Sequence, residues 1–179
     1  MFLSSLILIP AITAFVLALY KGFSDVTVRK IGFVSALVSL AITILMAMNF
    51  QSNSSETLQF VESYPWIEAF GVNFSLVLIA LASVLVPVVM LAGWNESTNH
   101  KGTIRQYVVL TLVTQAMMVG VFAATDVFLF YVFFEAILIP MYFLIGRFGG
   151  SRATYAAVKF LLYSLVGGLL MLASLIGLW

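Results

Sequence analysis

Cysteine is absent from the 179-residue chain, and only 8% of its residues are charged, against roughly a quarter in an average soluble domain. Without thiols there is no disulfide framework, no thiolate zinc site and no iron–sulfur cluster held by its usual ligands. A single histidine, His100, excludes a haem held between two histidines of this chain. The chain itself is therefore expected to carry no electrons. Eight Lys and Arg face seven Asp and Glu, a net charge of +1, so there is no basic surface to hold a polyanion. What fills the sequence instead is apolar: 63% hydrophobic residues and a mean hydropathy of +1.16. No water-soluble fold of this size can hide so much apolar surface, which excludes a soluble enzyme, a nucleic-acid binder and a disordered scaffold. The composition is that of an integral membrane protein.

A hydrocarbon core of about 30 Å needs runs of roughly 17–25 apolar residues. Six such runs occur, at residues 2–20, 31–48, 76–94, 107–124, 127–146 and 156–179. They predict an all-α polytopic membrane protein, a single membrane domain over residues 1–179 with six transmembrane helices and a long loop at 49–75. The first run has no basic residue before it and is followed by Lys21, so it reads as a retained helix and not a cleaved leader.

The cations fall in three of the connections. Lys21, Arg29 and Lys30 lie between helices one and two, Lys101 and Arg105 between three and four, and Arg147 and Arg152 between five and six, with Lys159 just inside helix six. The long loop carries Glu56, Glu62 and Glu68 without a cation, and Asp126 precedes helix five. Positive charge in short loops marks the cytoplasmic or matrix side, so both termini are expected on the outer side. Within the long loop, residues from Trp66 alternate in polarity and Gly71 offers a turn, the pattern of a short hairpin over the helix ends. An interfacial aromatic anchor is the equal alternative.

One residue stands out from its surroundings. Glu135 lies nine positions past Asp126, about 13 Å into the membrane at 1.5 Å per residue. Placing an acidic residue there costs about 2.5–3.5 kcal/mol, so it must face a neighbouring helix or water. Burial favours the neutral acid and a nearby cation favours the anion; a carboxyl between those influences can take up and release a proton. The structural alternative is a permanently protonated side chain that hydrogen-bonds a neighbouring helix. Pro140 adds weight to the first reading, because it cannot donate to the carbonyl of Ala136 and leaves a free acceptor beside Glu135, with a kink or a water expected there. Lys159, about one turn inside helix six, either snorkels to the interface or faces inward. Along the membrane normal it is expected roughly 10 Å from Glu135, a gap that linked waters would have to bridge. Tyr163 stands on the same face as Lys159 and could join that chain. Gly167 and Gly168 indicate close helix contact, and the glycines of 146–150 form a turn with neither the spacing of a phosphate loop nor the strand of a dinucleotide fold.

The segment Asp126 to Gly146, with Phe133-Phe134-Glu135-Ala136-Ile137-Leu138-Ile139-Pro140-Met141 at its centre, resembles the M subunit (chain 4) family of the proton-pumping NADH:quinone oxidoreductase, respiratory complex I. The resemblance extends to Tyr64-Pro65-Trp66-Ile67, to Phe70-Gly71-Val72-Asn73-Phe74 and to Lys159-Phe160-Leu161-Leu162-Tyr163. It implies the N-terminal part of an antiporter-like, inverted-repeat fold, and a membrane-arm subunit that couples electron transfer from NADH to quinone, performed elsewhere, to proton pumping. NADH, FMN, iron–sulfur clusters and quinone would then belong to partner subunits, and no cofactor or metal to this chain. Antiporter-like neighbours and the bilayer would be its partners, and the bacterial inner membrane, or otherwise an organelle's inner membrane, its location. Glu135 matches the family's essential helix-five glutamate and Lys159 its helix-six lysine, both as proton-transfer residues.

Two departures accompany the match. The family chain has about fourteen helices in two inverted repeats, whereas this sequence stops after six, and a proton path could not cross the membrane in it alone; a fragment or truncated chain is the expectation. The family's short glycine and aspartate segment after Phe74-Ser75-Leu76 is also missing, since Leu76 runs directly into Val77. The alternatives are a subunit of a multisubunit cation/proton antiporter, a membrane-bound hydrogenase subunit, or a non-catalytic assembly fragment.

Overall fold

A computed structural model of the chain describes residues 2–20, 22–49, 59–64, 67–72, 75–95 and 103–178. Six α-helices follow one another: α1 Phe2–Leu19, α2 Asp25–Met48, α3 Ser75–Ala92, α4 Ile104–Ala123, α5 Val127–Phe148 and α6 Ala153–Leu178, with a short 3-10 turn, Gly93–Asn95, closing α3. Strands β1 Gln59–Tyr64 and β2 Ile67–Val72 lie between α2 and α3. Five of the helices, α2 to α6, are long and apolar enough to cross a membrane. The sixth, α1, has 18 residues and spans about 27 Å at the helical rise, a little under a 30 Å core.

Polar capping residues set the helix starts, which is why they differ from the apolar runs. Helix α2 begins at Asp25, six residues before Ile31, because the Ser24 hydroxyl accepts from the Thr27 amide at 3.3 Å and Asp25 occupies the first turn, where the helix dipole favours an anion. The charged stretch Asp25 to Lys30 is helical but invisible to a count of apolar residues. Likewise α4 starts at Ile104, behind a capping box in which the Thr103 hydroxyl accepts from the Gln106 amide and the Gln106 side chain accepts from the Thr103 amide. For α5, the Asp126 carboxylate accepts from the Leu129 amide at 2.9 Å.

The hairpin forms, with a different turn from the one expected. β1 and β2 pair antiparallel, with Gln59 opposite Val72, Glu62 opposite Phe70 and Tyr64 opposite Ile67, and bulges between these pairs. Its connection falls between Tyr64 and Ile67, and Gly71 lies inside β2. The β-forming segment Gln59-Phe60-Val61 supplies the second strand upstream of the aromatic stretch, so pairing runs backward from Ile67. Trp66 and Phe74, both part of the expected alternation, lie outside the described residues. β1 touches α1 and β2 touches α4, so the hairpin lies over the bundle end at which α1 starts and α4 finishes.

Helices α1 to α4 pack on one another, α5 packs on α4, and α6 packs chiefly on α5. Their core has two apolar layers. Leu3, Leu6, Met46, Leu76, Ile79, Val119 and Ala123 fill the layer beneath the hairpin. Ala14, Leu17, Val28, Ala36, Val86, Met90, Val108 and Leu112 fill the other. Because successive helices alternate in direction, Arg29, Lys30, Arg105, Arg147 and Arg152 all lie at the second end. There Arg105 donates from Nη1 to the Tyr20 carbonyl at 3.2 Å and from Nη2 to the Phe23 carbonyl at 2.8 Å, which pins the α1–α2 connection to α4.

Candidate functional site

Glycine contacts on both sides fix α5 in place. Gly120 of α4 admits the Phe133 ring, and a Cβ at that position would lie 2.6 Å from Phe133 Cδ1. On the other side Gly168 of α6 receives Glu135: an added methyl there would fall on Oε1 of the carboxyl and lie 3.7 Å from the Phe134 ring. Phe133 and Glu135, two residues apart on a helix, project about 200° from each other, which is why one anchors α5 to α4 while the other meets α6.

Glu135 is partly buried. Its Oε1 is fully enclosed and, among the described residues, has no hydrogen-bond partner. Tyr131, one turn earlier, stands close enough to the carboxyl to interact with it electrostatically. A carboxyl whose enclosed oxygen has no donor among the described residues, near a hydroxyl that can donate or accept, has the chemistry to exchange a proton with water or with Tyr131. Helix α5 runs unbroken through Pro140, whose ring is buried; that residue offers no N–H to the Ala136 carbonyl one residue beyond Glu135.

Two contacts give the register of α5 against α6. Gly146 faces Ala157, whose Cβ would lie 3.4 Å from a Cβ added at Gly146, and Glu135 faces Gly168, eleven residues further along each helix in opposite directions. Lys159 lies nine residues before Gly168, so it is about 13 Å nearer the basic end, and nine residues turn the helix through two and a half revolutions. It therefore projects from the side of α6 opposite Glu135. The side chain is exposed, with Nζ 5.7 Å from the centre of the Tyr163 ring, and Tyr163 is itself 72% exposed. The structure thus seats Glu135 between two helices and does not bring Lys159 or Tyr163 to it. Of the two glycines, Gly168 makes the close contact and Gly167 has nothing within 4 Å. Sequence reasoning missed Tyr131, for which the signal was its four-residue spacing from Glu135.

Residues 124–179, which include all of α5 and α6, match the family described as NADH:quinone oxidoreductase/Mrp antiporter, TM. The chain is 40% identical to NADH-quinone oxidoreductase subunit M of Mycobacterium tuberculosis, over 99% of this chain and 38% of that protein. It is 33% identical to NADH-ubiquinone oxidoreductase chain 4 of Arabidopsis thaliana, over 97% of this chain and 36% of that one. It is 34% identical to F(420)H(2) dehydrogenase subunit M of Methanosarcina mazei, over 98% and 36%. The alignment with the mycobacterial protein extends over 211 residues, more than this chain contains, so that relative carries inserted segments. Among solved structures, respiratory complex I from Thermus thermophilus with bound NADH contains a chain that superposes with a TM-score of 0.78 at 27% identity, covering 99% of this chain and 35% of that one. The resemblance to the N-terminal part of subunit M and chain 4, and the antiporter-like helical fold, both stand. The chain spans a little over a third of the length of these curated relatives.

Proposed function

We propose, from its likeness to the N-terminal part of subunit M, that this chain is the corresponding portion of a proton-translocating membrane-arm subunit of an NADH:quinone oxidoreductase. Electron transfer from NADH through FMN and iron–sulfur clusters to quinone takes place in partner subunits, and this chain holds none of those groups. Antiporter-like neighbours in the membrane arm are its partners. The basic end of the bundle faces the cytoplasm and the hairpin end, with the N-terminus, faces outward across a bacterial inner membrane or the equivalent organelle membrane; the charge distribution supports that orientation.

The observation that carries the reading is Glu135: an acidic side chain about 13 Å along a spanning helix, with an enclosed oxygen lacking a partner among the described residues and a glycine cut out of the facing helix to receive it. In the mechanism this supports, Glu135 accepts a proton from water or through Tyr131 and releases it when charge elsewhere in the complex changes the balance between its neutral and ionised forms. Lys159, on the far side of α6, acts on whatever packs over that face, and its influence on Glu135 passes through α6 or through bridging water. The Methanosarcina relative favours a second reading, in which the same module serves a complex with a different electron donor.

Isolation of the endogenous chain from membranes in mild detergent, with identification of its companions by mass spectrometry, separates these readings. Flavin and iron–sulfur subunits that oxidise NADH are expected. Companions of another dehydrogenase would move the chain to the second reading, and antiporter chains or no companions at all would overturn the assignment.

A further inference from the structure

A second polar site lies away from Glu135, at the junction of α2, α3 and α4. These helices meet where Gly32 rests against Val108, and a Cβ on Gly32 would stand 3.7 Å from Met90 Cε. Seven residues restore nearly the same helix face, with a drift of about 20°, some 10 Å further along. Counted toward the hairpin end from each contact residue, seven residues lead to Ser39 on α2, Gln115 on α4 and, along the antiparallel α3, Ser83. All three are fully buried. On the α2–α3 side the hydroxyls of Thr43 and Ser83 meet at 3.0 Å, and Gln115 stands at the same level on α4 by helical repeat.

The polar atoms at this junction are only partly satisfied by one another. Ser39 donates to the Ser35 carbonyl at 3.1 Å, and the Ser83 hydroxyl is engaged with Thr43. Among the described residues, neither Nε2 nor Oε1 of Gln115 has a hydrogen-bond partner. Pro87, buried on α3, lacks the N–H that would bond the Ser83 carbonyl four residues earlier, so that acceptor is also released from its helix. A buried amide with two donors and an acceptor to fill, at the same level of the three-helix junction as a freed carbonyl and serine hydroxyls, has the chemistry of an internal-water site, where water makes about three bonds to otherwise unsatisfied groups.

We infer that Gln115 anchors buried water shared with Ser83 and Ser39. Apolar layers flank the site, with Met46, Leu76, Ile79 and Val119 on the hairpin side and Val28, Met90, Val108 and Leu112 on the basic side. This water is structural, holding three helices together through polar bridges.

Thermal unfolding of the protein extracted with its native companions tests this with the variants Gln115→Met, Ser83→Ala and the double substitution. If water links the two residues, each single variant lowers the midpoint, by about 2–4 °C for a domain of this size, and the double variant loses less than the sum, because one bridge is broken twice. An unchanged or raised midpoint in Gln115→Met would mean that the amide is dry and better replaced by an apolar chain, and would overturn the inference. Strictly additive losses would overturn it too. A density map that resolves ordered solvent within about 3 Å of the Gln115 amide would support it directly; a direct bond from that amide to a protein group in place of solvent would contradict it.

Discussion

Replacement of Gly168 by alanine puts a methyl group where the Glu135 carboxyl oxygen now sits. Forcing an extra carbon into a packed interface costs about 1–3 kcal/mol, while alanine in a helix gains about 1 kcal/mol over glycine. The net change in stability is therefore small, between about zero and 2 kcal/mol by those figures. The carboxyl, in contrast, has to swing away or α6 has to retreat, and a displacement of about 1 Å at a reacting group can cost on the order of 100-fold in rate. Gly167→Ala is the matched control: the same residue type, one position earlier, with nothing within 4 Å. In sealed vesicles that hold the assembled complex, proton translocation driven by electron transfer should fall by roughly one to two orders of magnitude in Gly168→Ala and stay at its normal level in Gly167→Ala. Normal pumping by Gly168→Ala, or equal loss in both variants, would refute the idea that the glycine seats a working carboxyl.

Two further outcomes follow from the packing. Gly120→Ala should destabilise the α4–α5 contact by about 1–3 kcal/mol through the Phe133 ring, and a second change, Phe133→Leu, should recover part of that loss in thermal unfolding; no recovery would place the strain elsewhere. Arg105→Ala removes two charge-assisted bonds to the Tyr20 and Phe23 carbonyls and should cost about 1.5–3 kcal/mol, seen as faster proteolysis of the α1–α2 connection; unchanged cleavage would show that the connection is held by other contacts.

The helices were legible because length and apolar content alone decide whether a segment can span a bilayer. Their starts were less so: Asp25 to Lys30 is helical by virtue of the Ser24 cap, a polar feature that an apolar count passes over. Gly71 was misread as the turn because glycine is compatible with both a turn and an irregular strand, and only the pairing of Gln59–Tyr64 with Ile67–Val72 decides between them. Glu135 was legible because a carboxyl deep in an apolar run costs too much to be incidental. Its setting was not: the sequence shows that Gly167 and Gly168 permit close contact, but which of them faces α5 depends on the helix register. That register also gives the position of Lys159, half a turn out of phase with Gly168. Gln115, an amide deep in the apolar stretch of α4, carried a signal that became readable only once Gly32, Met90 and Val108 were seen to meet.

The most direct test of the account is the number of protons moved per electron by the assembled complex when Glu135 is replaced by Gln and, separately, by Asp. Glutamine keeps the shape and hydrogen-bonding ability of the neutral acid but cannot release a proton, so Glu135→Gln should assemble normally and pump no protons through this subunit, while Glu135→Asp keeps part of the activity. Undiminished pumping by Glu135→Gln, or failure of both variants to assemble, would contradict the claim and leave Glu135 as a structural contact between α5 and α6.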